Sequence, residues 1–400
     1  MRKTVVILGV LAGVILIGWS LIGPDGRRLV QNLNTSPDVL FWSQAEREAG
    51  FRMLDKIPVL VDANDILPGA DVAPLEHIPV ADEFEQSVTE FMQGNNVASV
   101  VIMQEGKLRH EQYGLEFGPE GRWTSFSVAK SLTSTLVGAA IKDGYIKSLD
   151  DKVSDYVTGL KGSAYDDVSI RQLLTMSSGV QWNEDYEDPA SDVARFNAQK
   201  GENGESALVS YMKKLPRRHA PGEVWNYSSG ETNMIGVLVR EATGKNLSDY
   251  LSEKVWTTYG MEAKGTWLLS QDGEEISGCC IQARTRDFAR FGQFVLDDGV
   301  ANGVRVVPEG WFELATQPYY EASRGKGYGF QWWINKDGSF EASGIFGQGI
   351  FIDPSRNLVI ASNSNWTSAL GNRGKEYASR REFYASVQAF IDEESSSTEL

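Results

Sequence analysis

Strand-forming patterns in this chain fall in two blocks separated by about two hundred residues. In the first, Ala98-Ser99-Val100-Val101-Ile102-Met103-Gln104 and Lys107–Tyr113 flank Glu105-Gly106, an antiparallel pair with a two-residue turn. In the second, Tyr328–Ile334, Phe340–Ser343, Gly349–Ile352 and Leu358–Ala361 read as strands, with Asp353-Pro354-Ser355-Arg356-Asn357 turning between the last two. The stretch between, about 150–295, reads as helices and long loops, clearest at Glu231–Thr243, Leu247–Tyr259 and Arg286–Asp297. A chain so divided closes one antiparallel sheet from its two ends. The expected class is α+β: a sheet flanked by helices, with a mostly helical insert. A helix near Asp82–Met92 precedes the first strands, and another at Glu376–Asp392 precedes a polar tail, 393–400.

Arg2 and Lys3 precede an uncharged run from Thr4 to Pro24. About twenty helical residues at ~1.5 Å each span about 30 Å, the hydrocarbon thickness of a bilayer. No small-x-small cleavage site follows Leu21, and no lipobox cysteine is present. Residues 1–24 are therefore expected to form an N-terminal transmembrane helix, the bulk of the chain lying outside the cytoplasm, periplasmic or extracellular. A cleaved secretory signal is the alternative. Arg27 and Arg28 on the far side dilute the positive-inside bias. Residues 25–84, with Pro37, Pro58, Pro68, Pro74 and Pro79 and no sustained period, read as a juxtamembrane extension draped over a main domain at 85–392.

The net charge of −16 argues against nucleic acid, because phosphate binding needs a basic surface. No Cys/His cluster has metal-ligand spacing, and Gly325-Lys326-Gly327-Tyr328-Gly329 lacks the Gly-x-Gly-x-x-Gly register of a nucleotide site, so neither metal nor organic cofactor is expected. Cys279 and Cys280 are adjacent; a vicinal disulfide is rare, and they read as small buried residues.

The chemistry concentrates at Thr124-Ser125-Phe126-Ser127-Val128-Ala129-Lys130. Apolar residues recur at Val128, Leu132, Leu136 and Ala140, and Gly144 stands where a left-handed helix cap belongs. Ser127 thus opens a helix, with Lys130 one turn along the same face. An amine there can take the serine proton, and the helix N-terminus offers N–H groups to an oxyanion. Ser-x-x-Lys also occurs at Ser210/Lys213, in an amphipathic helix, and at Ser323/Lys326, in a charged Gly-rich loop. Only Ser127 opens an apolar helix.

Five segments stand in one order: Ser127-Val128-Ala129-Lys130, Leu149-Asp150-Asp151-Lys152-Val153, Leu173-Leu174-Thr175-Met176-Ser177-Ser178-Gly179, Pro221 through Tyr227-Ser228-Ser229-Gly230, and Gly347-Gln348-Gly349. That order resembles the serine β-lactamase-like family over about residues 85–390: class C β-lactamases, D-alanyl-D-alanine peptidases, related esterases and 6-aminohexanoate-dimer hydrolases. Asn183-Glu184-Asp185-Tyr186-Glu187-Asp188-Pro189 is similar to the last branch in particular. The resemblance implies a β-lactamase/transpeptidase-like fold and an acyl-enzyme mechanism on an ester or amide. It implies Ser127 as nucleophile, Lys130 as base and Tyr227 as the tyrosine that relays protons to the leaving group. By the same resemblance the backbone N–H groups of Ser127 and Gln348 form the oxyanion hole, while Gly347 lets the strand approach a ligand. Tyr186, Ser229 and Ile345 fall at substrate-contacting positions.

Two positions depart from the family pattern. Ser229 stands where the tyrosine motif carries Asn, and Ile345 where a Lys or His precedes the glycine. Those residues help to hold the amide and carboxylate of β-lactams and D-alanyl-D-alanine peptides, so either activity is only the alternative to an esterase or linear-amide hydrolase. No Gly-x-Ser-x-Gly elbow supports a Ser-His-Asp hydrolase. A non-catalytic, membrane-tethered binding or sensor module is the remaining alternative; intact Ser127, Lys130 and Tyr227 argue against it. Trp332 and Trp333 are candidates for the cleft wall, although Trp on a strand is more often core.

Overall fold

The computed structural model describes residues 19, 22–36, 38–57, 62–70, 72, 74–196, 199–202 and 204–398. Its main sheet is built from both ends of the chain, as the strand pattern predicts. Strands β1 (Val97–Gln104) and β2 (Lys107–Tyr113) come from the first block. The second block gives β3 (Tyr320–Glu321), β4 (Gly327–Tyr328), β5 (Trp333–Ile334), β6 (Phe340–Gly344), β7 (Gln348–Asp353) and β8 (Leu358–Ser364). The order across the sheet is β2-β1-β8-β7-β6-β5-β4-β3, antiparallel throughout. The seam is β1 on β8, where Ile102 faces Ile360 and Val101 faces Ala361.

Strand β1 is apolar without alternation because both of its faces are covered. Val100 and Ile102 pack with Phe84, Val88, Phe383 and Val387 from helices α1 (Asp82–Gly94) and α5 (Lys375–Thr398). Val101 and Met103 face the larger core, which contains helices α2 (Ala129–Lys142), α3 (Ser229–Thr243) and α4 (Thr285–Leu296). Val100, Val101 and Ile102 are fully buried, each contributing roughly 1.5–3 kcal/mol. Helix α2 is buried on every side from Ala129 to Ala140, not only along the predicted stripe, and so runs through the centre of the molecule. Gly144 ends it at φ +81°, in the left-handed conformation that the pattern anticipated. A smaller sheet, Ala63–Ile66, Gly265–Leu268, Ile281–Ala283 and Trp123–Thr124 in that order, sits beside the start of α2.

Three expectations are corrected. Among the described residues no helix is long and apolar enough to cross a membrane, so the transmembrane helix drops out of the fold. Most of the Thr4–Pro24 run lies outside the described residues; the helix that follows, Pro24–Gln31, is eight residues long and polar, and its Arg28 is ion-paired with Glu48 and Glu116. The segment after it does not merely drape: Trp42, Ala49, Phe51, Leu54 and Ile57 are buried. The polar tail is helical, α5 running on to Thr398.

Candidate active site

Trp123–Thr124 pairs with Gln282 and Ala283, and Ser125 continues the pairing through its N–H to Ile281 O (2.8 Å) and its Oγ from Ile281 N (3.0 Å). The chain then makes a tight turn, Phe126–Val128, before α2. Ser127 emerges from that turn half-buried, on the wall of a cleft of about 310 Å³. The end of β6 lies against it. A Cβ on Gly344 would stand 2.7 Å from Ser125 O and 3.1 Å from Ser127 N, so only glycine lets the strand come this close.

Lys130, the second residue of α2 and one turn on from Ser127, is buried at 2% exposure. Its Nζ donates to Ser229 Oγ (2.9 Å) and Gly278 O (2.9 Å) and lies 5.5 Å from the centre of the Tyr227 ring. Burial pushes its pKa down to about 8, against the opposing pull of the Glu184 carboxylate. At that value roughly one molecule in ten carries the neutral, proton-accepting amine at pH 7.

Ser229 belongs to the base rather than to the cleft wall. Helix α3 begins there, capped by Ser228 Oγ, which accepts the Glu231 N–H at 3.2 Å. Ser229 Oγ receives the Lys130 hydrogen bond and donates its own to Glu184 Oε1 (2.5 Å), while its N–H reaches Glu184 Oε2 (2.9 Å). Glu184 also accepts from Tyr186 OH (2.9 Å) and from Trp182 Nε1. The result is a chain of hydrogen bonds from ammonium through hydroxyl to carboxylate. Asn233 braces it, with Nδ2 donating to Ser229 O (3.0 Å) and Oδ1 accepting Gly278 N–H (2.9 Å). Cys279 and Cys280, next along from Gly278, are half-buried rather than buried, and are joined in the vicinal disulfide that is rare at adjacent positions.

Tyr227 stands across the cleft in an aromatic wall, 5.6 Å from Trp333 in a stacked arrangement and 6.4 Å from Trp225. Trp333 lines the cleft, whereas Trp332 is core, parallel to Phe291. Tyr186, Ile345, Trp366 and Leu370 complete the apolar lining, with Ser323 and Ser343. Among the described residues that line the cleft, Glu184 is the one carboxylate and none is Lys, Arg or His.

The glycine-rich turn is one strand further on than the motif implies. Gln348 starts β7, pairs in register with Gly344, and is fully buried. Its side chain donates to Ile345 O (3.2 Å) and Ser364 O (2.9 Å) and accepts Ser364 N–H (3.1 Å). Gly347, at φ +95°, is pressed against Trp366, 2.5 Å from a notional Cβ. Neither lines the cleft, which takes Ser343, Gly344 and Ile345 instead. The remaining Ser-x-x-Lys pairs are structural. Ser210 Oγ accepts Glu202 N–H (3.0 Å), Lys213 pairs with Glu205, and Lys326 is buried against Glu341.

Glu184 is the member that sequence reading did not single out. It lies two residues before Tyr186 in a stretch already marked, but no spacing rule ties it to Lys130. A second cavity, about 230 Å³, opens beside Glu105-Gly106, Arg290 and Asp297; it shares no lining residue with the cleft and contains no serine, cysteine or lysine.

The Beta-lactamase family profile matches residues 84–385. A 6-aminohexanoate-dimer hydrolase from Paenarthrobacter ureafaciens is 32% identical over 283 residues, 66% of this chain and 72% of that protein. Two solved structures share the fold. A Bacillus anthracis protein provisionally assigned as a 6-aminohexanoate-dimer hydrolase superposes with a TM-score of 0.76 at 23% identity, covering 87% of this chain and 95% of its own. A family VIII carboxylesterase gives 0.58 at 17% identity, covering 74% and 94%. The chain belongs to the beta-lactamase family and is a serine hydrolase of that family.

Proposed function

We propose that the protein hydrolyses a small ester or linear amide that carries no carboxylate next to the scissile bond, through an acyl-enzyme on Ser127. The observation that carries the reading is the buried Lys130 amine, one turn from Ser127, with its pKa drawn down to about 8. The neutral amine takes the Ser127 proton as Oγ attacks the carbonyl. The N–H groups of Ser127 and Ile345, on the two backbones that Gly344 brings together, receive the developing oxyanion; this pair replaces Ser127 and Gln348. Tyr227 passes the proton from Lys130 to the departing alcohol or amine, and the carbonyl–leaving-group bond breaks. Water then attacks the acyl group, giving its proton to the same pair, and Ser127 Oγ is released protonated. Glu184 and Ser229 keep the amine in place.

The cleft supports the substrate class. Its apolar wall of Trp225, Tyr227, Trp333 and Ile345 suits an aliphatic acyl chain, and Glu184 disfavours an anion. β-Lactams and D-alanyl-D-alanine peptides, which bear a carboxylate, are the weaker reading. Intact-protein mass spectrometry after a fluorophosphonate, with Ser127→Ala in parallel, tests the nucleophile. One adduct, absent from the variant, is expected; an adduct retained in Ser127→Ala would overturn the assignment.

A further inference from the structure

Two bulky residues beside the proposed oxyanion hole are held in the left-handed region, Phe126 at φ +42° and Phe346 at φ +58°. Such residues keep that strained backbone only where packing leaves no alternative. Phe126 immediately precedes Ser127, and Phe346 immediately follows Ile345. The rings meet each other, 5.5 Å between centres, and both meet Phe51, at 4.9 and 5.4 Å. Phe51 is fully buried, and its carbonyl accepts the Thr124 N–H at 2.9 Å.

Arg47 stands one turn earlier, on the helix Gln44–Gly50 that a Ser43/Glu46 capping box begins. Its guanidinium lies 4.5 Å from the centre of the Phe346 ring. It donates to Asn365 Oδ1 (3.3 Å), Trp366 O (3.0 Å) and Thr367 O (3.2 Å), just beyond the end of β8. Both residues precede the family-matched span, which begins at residue 84, and neither lines the cleft.

We propose that Arg47 and Phe51 are positioning residues: the N-terminal segment clamps the nucleophile turn and the end of β6 together through Phe126 and Phe346, setting the spacing of the two oxyanion donors. The inference rests on the acyl-enzyme reading above. With the Phe51 ring gone, both strained turns gain room to relax, and Ser127 N and Ile345 N drift from their spacing. The oxyanion exists only on the way through the transition state, so the loss falls on kcat and spares KM.

The test uses the full chain with p-nitrophenyl acetate as substrate and a fluorophosphonate as label. It compares wild type, Phe51→Ala, Phe51→Leu, Arg47→Met and a control, Phe91→Ala. Phe91 stacks on Phe383 at 4.2 Å on the α1/α5 face of the sheet, so its loss removes an equal ring from a core that does not touch the site. For Phe51→Ala, kcat and the labelling rate are expected to fall about 10- to 100-fold, the scale of an ångström-sized misplacement, with KM changed less than about threefold. Phe51→Leu should recover part of that loss and Arg47→Met should fall in the same direction. Phe91→Ala, assayed well below its melting temperature, should stay within about twofold of wild type. Should Phe51→Ala fail to fold, Phe51→Leu and Arg47→Met carry the same comparison. Wild-type kcat in the folded Phe51 and Arg47 variants, or an equal loss in Phe91→Ala, overturns the clamp while leaving the acyl-enzyme reading intact. A wild-type protein that takes no label at Ser127 overturns the site reading, and the clamp with it.

Discussion

Replacing Glu184 with Gln removes one charge from beside the base while nearly preserving shape. Bonds of 2.9 Å and 2.5 Å through Ser229 Oγ place the carboxylate oxygen within about 5 Å of the Lys130 ammonium. At an effective dielectric constant of 20–40, a unit charge at about 5 Å favours the ammonium by roughly 1.5–3 kcal/mol, or about one to two pKa units. Losing the anion disfavours the charged amine, so the Lys130 pKa falls further below about 8. The pH dependence of fluorophosphonate labelling, followed from about pH 5.5 to 10, should therefore rise with an apparent pKa near 8 in wild type and one to two units lower in Glu184→Gln. The variant should also lose stability. Glu184 accepts from Ser229 N, Ser229 Oγ, Tyr186 OH and Trp182 Nε1, and a Gln amide nitrogen must face some of those donors. A Lys130→Ala control should show no such limb. An unshifted limb in folded Glu184→Gln, or an upward shift, would refute the electrostatic coupling.

Two further outcomes follow from buried groups. Glu231 is fully buried with Oε1 bonded by Ser178 and Oε2 unpartnered, and burial pushes its pKa from 4.5 up to about 8. The raised value means that its stabilising contribution is complete below pH 4.5 and is lost as pH rises through about 8. Glu231→Gln should leave stability at pH 5 nearly unchanged and raise it at pH 8 by on the order of 3 kcal/mol in urea titrations; equal pH slopes in both proteins would refute this. Gly344→Ala forces a Cβ to within 2.7 Å of Ser125 O, so the strand must back away from Ser127. Labelling should slow about 100-fold in a folded protein, and an unchanged rate would show that this approach is not needed.

What the sequence disclosed follows from range. Ser127 lies in the turn that leads into α2, Lys130 is the second residue of that helix and Gly144 lies just past its end, all within a span where the 3.6-residue period and cap chemistry act locally. The strand blocks were legible for the same reason, except that Tyr328–Ile334, read as one strand, reverses on itself and divides between the antiparallel strands β4 and β5. Gln348 was misplaced because the sequence does not disclose the reversal at Ile345–Gly347: Phe346 adopts a positive φ although it is neither Gly nor Asn, and everything beyond passes to the next strand. Glu184 and Ser229 meet across 45 residues, and Arg47 reaches Asn365 across 318, separations that carry no local periodicity. The cysteines were read by frequency as small buried residues, because a vicinal disulfide is rare.

The seam between β1 and β8 joins residues 97–104 to residues 358–364. During synthesis, the hairpin of β1 and β2 leaves the ribosome with an apolar edge that has no partner until residues 358–364 are made. Folding therefore closes a loop of more than 250 residues before the nucleophile helix has a finished sheet to rest on, the kind of contact that makes folding slow. A ribosome stalled ahead of β8 would hold a hairpin poised for aggregation, and truncation from the C-terminus should convert this chain from an enzyme into a chaperone client.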